Sequence, residues 1–194
     1  MPINWSYTIS GGQPHKETAL VSLQGVIAGP ELPYEVWGHC MIRLDYITFV
    51  LIGGKNHEQD VRFFGFLDRI WTEGPKTQEK FSKDSCGSFV LNGKPTIVLV
   101  IGTKVEIWIK GDLAWKYGPE IDVEPKNSKL VIDNNQKFLY LIGGEVDPNA
   151  VLVLDCSSGT CDGSEWTEYK GVLSTKYEKA ALILIPDEIA TCPN

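Results

Sequence analysis

The sequence has few of the residues on which nucleic-acid-binding and metal-dependent proteins rely. It contains three histidines among 194 residues, and its 18 basic residues are scattered along the chain rather than clustered. Because 25 acidic residues give a net charge of −7, binding to nucleic acids or anionic membranes is disfavoured. No apolar run approaches the roughly 20 residues that a membrane-spanning helix needs. Membrane insertion is therefore not expected.

The sequence also lacks the familiar motifs of catalysis. It has no Gly-x-Ser-x-Gly nucleophile elbow, no phosphate-binding loop, no dinucleotide-binding fingerprint and no His-Glu-x-x-His zinc motif. The acidic loops do not show the ligand spacing of a calcium loop either. We therefore expect a non-enzymatic protein that holds no metal and no cofactor.

Five cysteines are present: Cys40, Cys86, Cys156, Cys161 and Cys192. Cys156 and Cys161 flank Ser-Ser-Gly-Thr, a turn that can bring two strand ends within bonding distance, so we predict a disulfide between them. This bond is expected if the protein is extracellular, and a glycosylation sequon at Asn4-Trp5-Ser6 adds weight to a secreted or extracellular protein. A cytoplasmic protein is the alternative.

Two short markers recur along the chain, which indicates an internal repeat. The first marker is a double glycine, and its last glycine lies at position 12, 54 or 144, with a reduced copy at position 102. The second marker is a tryptophan followed three residues later by Gly-Pro, at Trp71 and Trp115. Val26 and Trp166 begin weaker copies of it. The common period of 42 to 48 residues predicts four structural units.

Between the markers the local pattern is that of β-strands, because short runs rich in Val, Ile, Leu, Phe and Tyr are broken by turn residues. Continuous apolar strands precede the glycines at 49–52, 97–101 and 138–142. Each repeat adds a second strand, a third that carries the tryptophan, and a fourth. The fourth strands are predicted at 39–44, 86–91, 129–133 and 180–185.

An apolar strand that ends in Gly-Gly and is followed by a spaced tryptophan resembles the kelch repeat, and the resemblance covers residues 5–185. It implies an all-β protein, a β-propeller of four kelch-like, four-stranded antiparallel blades in a single domain of residues 1–194. The approximate blades are 5–44, 47–92, 96–133 and 137–186. Since kelch propellers usually have six or seven blades, three explanations stay open: part of a larger propeller, a compact ring, or an oligomer.

The repeat separates core tryptophans from candidate binding residues. Trp71, Trp115 and Trp166 recur with the period and are expected in the core. By contrast, His15 and His57 each lie three residues after a double glycine, and His39 enters a fourth strand, so all three belong to one face.

Cys40 and Cys86 occupy equivalent fourth strands, and we expect them not to bond to each other.

Aromatic residues in the loops of that face complete a predicted partner-binding surface. Its residues are Tyr34, Trp37, His39, His15, His57 and Phe81. The resemblance implies a protein-binding or assembly module, since the kelch family most often supplies binding surfaces. One alternative is glycan binding by the aromatic side chains, and another is a remnant copper-oxidase-like propeller. Solvated loop histidines, and aromatics packed over the blade ends, are the structural alternatives.

Overall fold

The computed structural model describes residues 7–10, 16–22, 25–133, 135–145, 147–161 and 163–169. Within these ranges the chain forms strands and turns without a helix, and all strand pairs are antiparallel. The predicted all-β class is confirmed. Among these residues there is accordingly no helix that could cross a membrane. The strands form one three-stranded and three four-stranded sheets, divided between two compact units.

The first unit, Met1–Lys83, contains two sheets whose strands follow one another in chain order. The three-stranded sheet consists of β1 (Tyr7–Ser10), β2 (Thr18–Ser22) and β3 (Gly25–Ala28). The four-stranded sheet consists of β4 (Cys40–Asp45), β5 (Thr48–Ile52), β6 (Val61–Gly65) and β7 (Trp71–Glu73). Leu20 of the first sheet packs with Phe49 and Phe64 of the second.

The second unit, Asp84–Asn194, contains two four-stranded sheets. One consists of β8 (Ser85–Leu91), β9 (Lys94–Ile101), β10 (Lys104–Ile109) and β11 (Lys116–Tyr117). The other consists of β12 (Lys129–Ile132), β13 (Phe138–Ile142), β14 (Val151–Asp155) and β15 (Thr167–Glu168). Val98 and Val100 of one sheet share a buried cluster with Leu139, Leu141 and Leu154 of the other. The apolar strands β9 and β13 are thus packed against each other's sheets.

The four sheets share one backbone connection at the second marker. In each sheet the N–H of the residue that follows the last strand donates to the carbonyl of the first or second residue of the preceding strand. The donor and acceptor pairs are Gly29 to Thr18 (2.8 Å), Gly74 to Val61 (2.9 Å), Gly118 to Val105 (2.8 Å) and Tyr169 to Val151 (2.7 Å). The sheets are therefore equivalent at this point, although Val26 and Trp166 begin weaker copies of the marker.

The strands lie close to their predicted places, but they pair in a different grouping. Each predicted fourth strand pairs with the next double-glycine strand along the chain, as β4 does with β5 and β8 with β9. A two-residue turn explains the pairing, because Asn92 and Gly93 have φ of 50° and 75°, as in the tight hairpin turn that joins adjacent strands. The sheets therefore span 40–73, 85–117 and 129–168. The predicted fourth strand at 180–185 lies outside the described residues.

The marker tryptophans differ in burial. Trp115 is 3% exposed, which confirms a core position, whereas Trp71 and Trp166 are half-buried and pack against the core clusters. Both half-buried indoles donate to a carbonyl of the neighbouring sheet region in their own unit, Trp71 to Glu31 (2.8 Å) and Trp166 to Pro119 (3.1 Å). These tryptophans therefore connect sheets through a hydrogen bond as well as through packing.

Candidate functional site

Three loops meet at one end of the β4–β7 sheet, and we call residues 31–39, 53–60 and 74–83 the loop cluster. Backbone hydrogen bonds join them: the Lys55 N–H donates to the Trp37 carbonyl (2.9 Å) and the Gly54 N–H to the Phe81 carbonyl (2.9 Å). The Phe81 N–H in turn donates to Glu58 (2.8 Å). Strand ends and main-chain bonds therefore fix the positions of these loops.

The double glycine Gly53-Gly54 allows the loops to approach this closely. Its residues have φ of 62° and 95°, a region that favours glycine. A Cβ atom at Gly53 would lie 2.5 Å from the Phe81 carbonyl oxygen, and one at Gly54 would meet the Val36 side chain. It would also lie 3.0 Å from the Cβ of His39. The double glycine thus leaves room for both neighbouring loops.

Phe81 is not an exposed loop aromatic, and this corrects the sequence-based expectation. Its side chain is 0% exposed, because it packs into the space that Gly53 leaves by having no Cβ atom. Tyr34, Trp37, His39 and His57 are half-buried. Phe81 therefore supports the loop cluster from inside, while the other four lie at its surface.

Tyr34 and His57 form the centre of the loop cluster. Their rings stack with centroids 3.6 Å apart and planes 11° from parallel. The Nδ1 atom of His57 lies 2.9 Å from Oδ2 of Asp60, so the carboxylate orients the imidazole. The sequence predicts that these two residues share one face, and the tertiary structure adds the direct contact between their rings.

The charges around this stack shift two pKa values. Burial alone would favour the neutral form of Asp60, but the hydrogen bond from His57 and the Lys76 ammonium outweigh it, so the pKa of Asp60 lies below its ordinary value. Burial, followed by the nearby Asp60 carboxylate, raises the pKa of Tyr34 to about 12, against the opposing charge of Arg62. At neutral pH the stack therefore presents a neutral phenol beside a charged carboxylate.

Ion pairs that the sequence analysis missed surround the stack. Arg62 of β6 pairs with Glu73 of β7, with Nη1 and Oε1 2.5 Å apart, and Lys76 lies 3.5 Å from Asp60. The Arg62–Glu73 pair depends on the strand register, which places the two residues opposite each other. The sequence signal for these ion pairs was the opposite charge of Asp60 and Arg62 on either side of Val61, where β6 begins.

Trp37 and His39 lie beside the stack in the same cluster. The Lys83 ammonium lies 4.7 Å from the centroid of the Trp37 ring, within cation–π distance. Burial lowers the pKa of His39, which favours its neutral form. His15, the sixth predicted site residue, lies outside the described residues. In the part of the chain that the structure describes, no three His, Cys, Asp or Glu side chains form a group that could hold a metal ion.

The predicted Cys156–Cys161 disulfide is confirmed, with an S–S distance of 2.07 Å and Cα atoms 4.5 Å apart. Cys40 and Cys86 are each disulfide-bonded as well. Cys192 lies outside the described residues. Disulfides of this kind are typical of an oxidising environment.

Comparison with models of known protein families and with curated proteins finds no match for this chain.

Proposed function

We propose that the chain is a non-enzymatic protein-binding or assembly module in which the sheets act as kelch-like propeller blades. The repeated backbone connection at Gly29, Gly74, Gly118 and Tyr169 supports a repeat architecture. The disulfides support a secreted or extracellular setting. In repeat proteins of this kind, loops at the strand ends carry the binding residues, while the sheets hold them in place.

The loop cluster is the observation that carries the proposal. It presents Tyr34, Trp37 and His57 as half-buried rings on loops that are tied to each other by main-chain hydrogen bonds. Aromatic side chains held rigidly at a surface contribute strongly to protein–protein affinity, because little conformational freedom is lost when a partner binds. The partner surface is therefore Tyr34, Trp37, His39 and His57, with Phe81 as internal support.

Substitution of Trp37 tests the proposal. Trp37→Ala should weaken self-association, measured by sedimentation, or capture of an extracellular protein partner, measured by quantitative pull-down. It should leave the fold intact, since the indole is only half-buried. Phe81→Ala is unsuitable for this purpose, because emptying a buried aromatic site costs about 3–5 kcal/mol of stability.

Tyr46→Ala provides the matched control. Tyr46 is an 87% exposed aromatic in the turn between β4 and β5, at the other end of the same sheet. Its loss should change neither association nor partner capture. Equal behaviour of the Trp37 and Tyr46 variants in both assays would contradict the proposed surface.

Glycan binding is the second candidate, and the half-buried Trp37 indole at the loop surface is the observation that favours it. A glycan-array signal that Trp37→Ala abolishes and Tyr46→Ala retains would place glycan binding first. A remnant copper-oxidase-like propeller stays a prediction, which elemental analysis of copper in the purified protein tests.

A further inference from the structure

A pocket of about 180 Å³ lies at the end of the β12–β15 sheet, beside the double glycine Gly143-Gly144. Leu141 and Leu152 give it an apolar lining. Three acidic residues, Glu124, Asp147 and Glu168, also line it. The pocket therefore combines apolar surface with negative charge, which suits a ligand that has an apolar stem and a cationic end.

The β4–β7 sheet has an equivalent position beside its own double glycine. The two sheets can be aligned by their main-chain hydrogen bonds. Glu145 N–H donates to Lys126 (2.8 Å) as Lys55 N–H donates to Trp37 (2.9 Å). The double-glycine bonds match too, from Gly143 to Ala150 and from Gly53 to Asp60, both 2.9 Å. This alignment places Val123, Asp147, Ala150 and Leu152 where the first unit has Tyr34, His57, Asp60 and Arg62.

The strand register shows that Glu168 of the second unit is equivalent to Glu73 of the first. Leu152 lies opposite Glu168 in the β14–β15 pair, as Arg62 lies opposite Glu73 in the β6–β7 pair. In the first unit the Arg62 guanidinium pairs with Glu73 at 2.5 Å. In the second unit leucine replaces the arginine, so the glutamate remains and its cationic partner is lost.

At the positions equivalent to those that fill this space in the first unit, the second unit has smaller side chains. The stacked rings of Tyr34 and His57 correspond to Val123 and Asp147, and the Arg62 side chain corresponds to Leu152. Among the described residues no basic side chain forms an ion pair with Glu168. Lys126, which adjoins the pocket in sequence, is already paired with Glu145 at 3.0 Å. Among the residues that the structure describes, the pocket thus lacks both the bulk and the positive charge that its counterpart contains.

We propose that this pocket binds an arginine side chain of a protein partner. The guanidinium pairs with Glu168 as Arg62 pairs with Glu73, and the aliphatic stem packs along Leu141 and Leu152. Arginine is preferred to lysine because its planar guanidinium can form two parallel hydrogen bonds with one carboxylate. The inference rests on the proposed function only for the source of the arginine.

Titration of the full chain with the peptide acetyl-Gly-Arg-Gly-amide tests the pocket directly. We expect saturable amide NMR shifts at Gly143, Gly144 and Ala150, weaker binding of the lysine peptide, and none of the citrulline peptide, which keeps the shape without the charge. Glu168→Gln should weaken binding about tenfold or more, since it removes a charge-assisted hydrogen bond. Leu152→Arg should abolish binding, because it supplies the guanidinium from within the chain.

Glu165→Gln is the matched control, since it makes the same charge change at an exposed residue that does not line the pocket. It should bind like the unsubstituted protein. Equal binding of the arginine and citrulline peptides, equal effects of Glu165→Gln and Glu168→Gln, or the absence of saturable shifts at the pocket would overturn the inference. Trp37→Ala should leave peptide binding unchanged, so failure here is distinguishable from failure of the proposed loop cluster.

Discussion

Burial in the loop cluster changes the protonation of individual residues and so links the stability of the protein to pH. His39 illustrates this, because burial lowers its pKa and so favours the neutral imidazole in the folded protein, whereas the unfolded chain takes up a proton near pH 6.5. The unfolded state then binds more protons than the folded state as the pH falls below that value. Stability must therefore decrease as the pH falls, until the folded-state pKa is passed.

A pH series on His39→Gln tests this linkage. Between about pH 7.5 and pH 5.5, the unfolding free energy of the unsubstituted protein should fall more steeply than that of the variant, which lacks the titrating imidazole. Denaturant unfolding at each pH provides the measurement, and His57 is retained in both proteins and so serves as an internal reference. Parallel curves would show that His39 does not contribute to the pH dependence.

At the scale of the element, the double glycine does two separable things. It provides positive φ at the end of β5, and it removes a Cβ atom where the next loop approaches. Gly102, in the turn after β9, has φ of 56° but no atom within 4 Å of a Cβ built on it. Gly53 has φ of 62° and would place its Cβ 2.5 Å from the Phe81 carbonyl oxygen.

Alanine substitution at these two glycines should therefore have unequal effects. Gly102→Ala should cost about 1–2 kcal/mol, the penalty of a left-handed conformation for a residue with a Cβ atom. Gly53→Ala should cost more, because the same penalty is joined by a clash with main chain that cannot move aside cheaply. The measurement is denaturant unfolding with intact disulfides, and equal losses would show that close packing of the Phe81 loop adds nothing.

The whole molecule carries a net charge of −7, which has opposite consequences for the two kinds of partner. Association between identical acidic chains is opposed by charge repulsion, so salt should strengthen it by screening. Association with a partner that inserts an arginine beside Glu168 is favoured by charge, so salt should weaken it.

Self-association, measured by sedimentation, and peptide binding are compared in about 0.02 M and 0.3 M salt. The screening length falls from roughly 20 Å to below 10 Å over that range, so repulsion and attraction between charges should give opposite changes. Self-association through the loop cluster should tighten at the higher salt concentration. Binding of the arginine peptide should weaken, and it should weaken less in the Glu168→Gln variant, which lacks the charged carboxylate. Self-association that weakens with salt would instead indicate attraction between opposite charges in the interface.

The sequence by itself determined the all-β class, the places of most strands, the spacing of the repeat and the Cys156–Cys161 disulfide. The class, the strands and the disulfide follow from local information, namely short apolar runs, turn residues and a short loop between two cysteines, and the repeat follows from the recurrence of two short markers. Even the pairing of β8 with β9 follows from local sequence, because Asn92-Gly93 is typical of a two-residue hairpin turn, whereas the spacing of the longer repeat predicts another grouping.

Only the tertiary structure decided which side chains meet. Phe81 is buried rather than exposed because a glycine from another loop leaves space beside it, and a sequence pattern within one loop cannot show that. Register across separate strands decided that Arg62 faces Glu73 while Leu152 faces Glu168. Burial and pairing depend on contacts between residues that are distant in the chain, so only the tertiary structure determines the stacked rings of Tyr34 and His57 and the acidic pocket beside Gly143-Gly144.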